Sequence, residues 1–165
     1  MSKVNRKALK LTSFMNMCIE LSCLSHDPKY KVASMIITDD FREICAIGYN
    51  GDYKGGPNER VNLQTGMSGF SHSEENCLIH LCKPFELRSN LIMFCTHTPC
   101  PMCAKHIVNG GIRRVVYNTE YRDLGPDTDH IFANSNVGCV KFDSLCGILE
   151  ICDVEFVTEN GIDQF

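Results

Sequence analysis

Leu11, Phe14, Cys18 and Leu21 recur at three- and four-residue steps, with Met15, Met17 and Leu24 beside them. That spacing predicts an amphipathic first helix, ended by Asp27–Pro28. The run Val32–Thr38 is apolar and β-branched and predicts a buried strand. Ile44–Tyr49 predicts its neighbour. Asp39–Asp40 between them suits a hairpin turn, which makes the pair antiparallel. From Asn50 to Ser71 no hydrophobic period is visible, and five glycines with Pro57 punctuate the stretch. A loop of that length inside a domain is commonly functional.

Helical spacing returns at Ser73–Cys82, where Cys77, Leu78 and Leu81 form the apolar face and Pro84 is the stop. Leu91–Cys95 predicts a buried strand. Pro101–Asn109 predicts a short helix, with proline in its first turn and Gly110–Gly111 at its end. Arg114–Tyr117 and Val137–Phe142 predict strands, Asp127–Asn134 a short helix, and Glu150–Thr158 a terminal strand. The order is one helix, two strands, then helices alternating with strands. It predicts an α/β sandwich around one mixed sheet, with a parallel portion where strand, helix and strand follow one another. There is no repeat or linker, so residues 1–165 are expected to form a single domain.

Composition narrows the function. Lys plus Arg is 16 against 20 Asp plus Glu, a net charge of −4. That balance argues against a nucleic-acid binder, whose affinity rests on a basic surface. No apolar run approaches the length that spans a bilayer. The segment after the basic N-terminus is broken by Thr12, Asn16 and Glu20, so it is no signal-peptide core. The 11 cysteines are therefore expected to be reduced cytoplasmic thiols. Most should behave as small buried hydrophobes.

Two short segments carry the chemistry. His72-Ser73-Glu74 gives H-x-E, and Pro99-Cys100-Pro101-Met102-Cys103 gives P-C-x-x-C. The ordered pair is the signature of zinc deaminases acting on nucleobases. Imidazole nitrogen and thiolate sulfur are the donors Zn²⁺ prefers, and three protein ligands leave a fourth position for water. His72, Cys100 and Cys103 are the ligand candidates. Cys100 and Cys103 open a helix, whose positive end favours thiolates. Glu74 is the candidate proton shuttle. The competing reading is a closed structural site, with His97 or His106 as fourth ligand.

At these residues the chain resembles the deoxycytidylate (dCMP) deaminase family of the cytidine-deaminase-like superfamily, which includes bacteriophage members. Ser25-His26-Asp27-Pro28 resembles the family's S-R-D-P. Gly48-Tyr49-Asn50-Gly51 matches G-Y-N-G, and His72–Asn76 resembles H-A-E-x-N. Thr98–Lys105 resembles S-P-C-P-x-C-A-K, and Glu120–Asp123 matches E-Y-R-D. The resemblance implies a three-layer α/β/α sandwich with one central mixed sheet, and zinc-dependent conversion of dCMP to dUMP and ammonia, which supplies dUMP for dTMP synthesis. It implies substrate contacts from Asn50 (deoxyribose), Ser73, Pro99 and the Cys100 N–H (base), and Tyr121, Arg122 and His26 (base or phosphate). It also implies regulation by dCTP, with Mg²⁺, and by dTTP, a homo-hexamer, no nucleic-acid or membrane partner, and a cytoplasmic location (the host's, for a viral member).

Two positions and one segment depart from the pattern. His26 stands where many members carry Arg, and Ser73 replaces Ala. Gly51-Asp52-Tyr53-Lys54-Gly55 replaces G-F-P-R-G, in the loop tied to effector response, so Tyr53 and Lys54 become the candidate effector contacts. His80, His97, His106 and His130 are candidates for a second, structural zinc. The remaining alternatives are deamination of another cytosine nucleotide or nucleoside, deamination of a base in nucleic acid, and a non-catalytic zinc-containing regulatory module.

Overall fold

Strands flanked by helices on both faces must be apolar on both faces, and the two central strands show it. β1 (Ala33–Thr38) and β3 (Leu91–His97) are buried along nearly their whole length. The computed structural model describes residues 6–64, 66–120, 127–142, 155–158 and 161–164. With β2 (Ile44–Tyr49), β4 (Arg114–Thr119) and β5 (Gly138–Lys141), these strands form a five-stranded sheet in the order β2-β1-β3-β4-β5. β1 is antiparallel to β2 and β3, whereas β3, β4 and β5 run parallel. The sheet is mixed, as expected.

Side chains alternate across it. Met35, Ile37, Ile92, Phe94 and Val116 pack with Leu11, Met15 and Cys18 of α1 (Arg6–Ser22). Ile36, Met93, Cys95 and Val115 pack on the opposite face. There they meet Cys77 of α2 (Ser73–Ile79), Ala104 and Ile107 of α3 (Pro101–Asn109), and Phe132 of α4 (Asp127–Asn134). The result is the three-layer α/β/α sandwich. Each large apolar side chain buried in it contributes about 1.5–3 kcal/mol.

Several boundaries differ from the sequence reading. α1 stops at Ser22 and α2 at Ile79, while β3 and β4 run on to His97 and Thr119. A 3-10 turn at Phe85–Asn90 and a short strand, β7 (Gly161–Gln164), have no periodicity to betray them. β7 pairs antiparallel with β6 (Glu155–Thr158) in a separate two-stranded ladder. The rest of the predicted terminal strand lies outside the described residues. The long loop after β2 is closed at its base by a bridge between Gly51 and Ser71. Of the nine described cysteines, all are free thiols, and Cys18, Cys77, Cys95 and Cys103 are buried.

Candidate active site

The first turn of α2 sits against β2 because Gly48 has no side chain. A Cβ there would lie 2.3 Å from the Ser73 carbonyl oxygen. Asn76 Nδ2 donates 2.9 Å to the Tyr49 carbonyl and fastens the same helix to the same strand. His72 is the extended residue just before α2. Across from it, Cys100 caps α3, with Pro101 at the first helical position, and its sulfur accepts the Cys103 N–H at 3.5 Å. Thr98 N–H donates to the Thr119 carbonyl at 2.9 Å, and Thr128 Oγ1 to the Pro99 carbonyl at 3.3 Å. These bonds anchor the turn that carries both cysteines.

The two helix starts converge. His72 Nδ1 lies 3.5 Å from Cys100 Sγ and 3.3 Å from Cys103 Sγ. One donor atom from each residue lies within 4.8 Å of the others. Two sulfurs and an imidazole make three protein donors, the number that catalytic zinc sites use. The donor set therefore fits zinc. Hydrogen bonding from Cys103 lowers the Cys100 thiol to about 4 against the opposition of burial, helped by His72. Cys103 moves the other way: it donates to Cys100 and is buried, so its thiol is held high. Two neighbouring thiolates repel unless a cation joins them, so in the protein alone only Cys100 carries the charge. The hydrogen bond with Cys100 lifts His72 to about 8. Among the described residues no second grouping of metal-binding side chains occurs, so His80, His97, His106 and His130 form no second zinc site there.

Glu74 is only 4% exposed. Ser73 Oγ donates 3.0 Å to its Oε2, and Ser34 Oγ of β1 lies 2.8 Å from Ser73 Oγ. Burial raises the Glu74 carboxyl above the ordinary carboxylate range. A raised carboxylic pKa is what a group that both takes and gives a proton near neutrality requires.

One pocket joins these groups. His72, Ser73, Glu74, His97, Thr98 and Cys100 line it on the metal-cluster side. Asp27, Tyr30, Val32, Asn50, Arg60 and Ser68 contribute the remaining wall. Asn50 is buried and fully employed: its Oδ1 accepts from Val32 N–H at 2.9 Å, and its Nδ2 donates to the Tyr30 carbonyl (2.8 Å) and Asp27 (3.3 Å). Pro99 is buried, its carbonyl held by Thr128, and it does not line the pocket. His26 is exposed and is not part of the wall; its neighbour Asp27 is. Tyr53 and Lys54 are exposed on the loop and do not line the pocket. Tyr121 and Arg122 lie outside the described residues. Sequence reasoning missed Asp27, Tyr30, Arg60 and Thr98 as pocket residues. Asp27 stood inside a recognised segment but read as a helix stop, and Arg60 carried no signal at all.

Comparison with known proteins agrees with this geometry. The family model for the cytidine and deoxycytidylate deaminase zinc-binding region matches residues 9–119. ComE operon protein 2 of Bacillus subtilis is 27% identical over 128 residues, 75% of this chain and 66% of that protein. The deoxycytidylate deaminase of Schizosaccharomyces pombe is 28% identical over 120 residues, 66% of this chain but only 36% of that protein. The match thus spans about two thirds of the first relative and about a third of the second. The crystal structure of the cyanophage S-TIM5 dCMP deaminase, in complex with dCMP and dUMP, superposes with a TM-score of 0.69 at 28% identity. It covers 86% of this chain and 100% of that one. With both halves of the metal motif inside the matched span, the chain belongs to the cytidine and deoxycytidylate deaminase zinc-binding family.

Proposed function

We propose that this chain is a zinc-dependent hydrolase that converts dCMP to dUMP and ammonia. The observation that carries the reading is Glu74, a buried carboxylate lining the same pocket as His72 and Cys100. A purely structural metal site has no use for such a group. The cyanophage enzyme similar to this chain was crystallised with dCMP and dUMP, which supports the choice of substrate.

His72, Cys100 and Cys103 would hold the zinc, which would supply a Lewis acid that brings water's pKa within reach of neutrality. Glu74 accepts a proton from the attacking water and delivers it to ring nitrogen N3. It then takes the second proton and passes it to the departing amine. Water's oxygen becomes the C4 carbonyl as the C4–N4 bond breaks, and the amine leaves as ammonia. Ser73 and Ser34 hold the carboxylate in place for both transfers. Asn50 keeps the Asp27–Val32 segment against the end of β2, which shapes the pocket wall.

The finer parts of the reading rest on family resemblance: dCTP with Mg²⁺ as activator, dTTP as inhibitor, a homo-hexamer, and a role in supplying dUMP within the cytoplasm. Tyr53 and Lys54, exposed on the loop, are the residues open to an effector phosphate. Substrate contacts from His26, Tyr121 and Arg122 belong to the same set.

The test is direct. Purified protein should contain about one zinc per chain, and dCMP should lose ammonia with stoichiometric formation of dUMP. Zinc-loaded protein that leaves dCMP unchanged would overturn the reading, and assays of CMP, dCTP and deoxycytidine would then show which substrate replaces it.

A further inference from the structure

Arg60 is a buried cation in the wall of the catalytic pocket. Its side chain is 5% exposed and pairs with the Asp27 carboxylate, itself 2% exposed. A buried ion pair of this kind gains little stability over an apolar pair of the same volume, because both charges must be stripped of water. Its presence calls for a use other than folding.

The hydrogen bonds show which part of the guanidinium is committed. Nη1 donates to Asp27, and Nε donates to the Asn62 carbonyl at 3.2 Å. Nη2 donates to nothing among the described residues. Asp27 is filled on its side: it accepts the Lys29 N–H at 2.8 Å, the Tyr30 N–H at 3.2 Å and Asn50 Nδ2 at 3.3 Å, as well as Arg60. A carboxylate has about four lone-pair positions, so Asp27 works as a fixed bracket. The guanidinium also lies over the Tyr30 ring, 5.9 Å from its centroid. Lys29 Nζ stands over the same ring at 5.2 Å and donates to the Leu63 carbonyl at 3.0 Å, adding a second positive charge.

A cation fixed at one face with one nitrogen uncommitted is pre-organised for an oxyanion. Arg60 shares the pocket with the metal cluster and Glu74. A substrate whose base reaches that cluster turns its sugar and phosphate towards the remaining wall. His26 is exposed outside that wall. We propose that Arg60, bracketed by Asp27 and flanked by Lys29, binds the substrate's 5′-phosphate and makes this site select a nucleotide over a nucleoside. The proposal rests on the dCMP deaminase reading and names the residue that sets its substrate class.

The measurement is the ratio of kcat/KM for dCMP to that for deoxycytidine, in wild type, Arg60→Gln and Arg60→Lys, each checked for zinc content. Wild type should favour dCMP strongly. Arg60→Gln should lower the ratio about 10- to 100-fold, chiefly through the KM for dCMP, the range expected for one charge-assisted hydrogen bond. Arg60→Lys should fall between the two. A ratio in zinc-loaded Arg60→Gln equal to wild type overturns the proposal, as does a wild-type ratio near one. If Arg60→Gln loses zinc, Arg60→Lys decides: a lowered ratio supports the phosphate contact and an unmoved one overturns it. A wild-type protein that deaminates neither compound instead refutes the dCMP deaminase reading itself.

Discussion

Gly48 of β2 and Ser73 of α2 touch backbone to backbone: a Cβ on the glycine would lie 2.3 Å from the serine carbonyl oxygen. The same Cβ would lie 2.4 Å from the Cys77 backbone nitrogen. Neither atom is the end of a flexible side chain, so neither can swing aside. The height of α2 above the sheet, and with it the position of His72 and Glu74, is set by the absence of one methyl group.

Gly48→Ala should therefore displace the helix rather than a side chain. Overpacking of this kind costs about 1–3 kcal/mol, read as a lower urea midpoint with unchanged slope. Because His72 and Glu74 ride on the displaced turn, zinc content and turnover should fall together. Wild-type stability with full zinc would show that the contact does not set the height of the helix.

Glu74→Gln separates proton transfer from metal binding. The amide has nearly the carboxylate's shape and sits beside the ligands without being one of them, so zinc should remain at about one per chain. Turnover of dCMP should drop by about 10²–10⁴-fold, the usual contribution of a positioned general acid–base, with little change in KM. Normal turnover by the zinc-loaded variant would remove Glu74 from the mechanism.

Much of this site is legible in the order of residues alone. The apolar runs of β1 and β3, the proline and glycines bounding α3, and the two halves of the metal motif are all local patterns. Each is produced by a local rule: burial on both faces of a strand, capping at a helix end, or ligand spacing on one turn. The Asp27–Arg60 pair follows no local rule. Its members stand 33 positions apart, and Arg60 lies in a loop with no period to fix its direction. Only the closing of that loop at Gly51 and Ser71 brings the charge into the pocket. The segment around His26 is legible by resemblance, but which of its side chains faces the pocket is not: His26 is exposed, and its neighbour Asp27 lines the wall.

Removing the metal should uncover a reactive thiol. In the protein alone the Cys100 thiol falls to about 4, through its hydrogen bonds with Cys103 and His72, so it is ionised throughout the neutral range. Cys100 is also partly exposed, and exposed thiolates are the nucleophilic form. After chelation, iodoacetamide should modify Cys100 first, at a rate nearly flat between about pH 6 and about pH 8. Zinc restored beforehand should protect it. Cys103, buried and holding its proton, should react far more slowly. Modification of Cys100 at the same rate with and without zinc would place the metal elsewhere.

The Asp27–Arg60 pair should make stability depend on pH in a definite direction. Burial alone would raise the Asp27 carboxyl, but the N–H groups of Lys29 and Tyr30 and the Arg60 guanidinium outweigh it and hold it below its ordinary value. A depressed carboxyl contributes fully above its unfolded pKa, about 3.9, and loses that contribution as pH falls through the folded value. Asp27→Asn removes the charge at every pH and leaves Arg60 buried without its partner. The cost at neutral pH should be about 3 kcal/mol, the lower end for a broken buried pair, because Arg60 keeps the Asn62 carbonyl. As pH is lowered past about 4, the unfolded chain takes up the proton first and the gap begins to close. Only below the lower folded value is Asp27 protonated in the folded protein as well, stranding the same guanidinium, and there the two proteins should converge. Urea unfolding of both, in matched buffers across that range, measures the gap. A gap that stays constant with pH would mean that the Asp27 charge does not stabilise the fold and that the cost of the variant is one of shape.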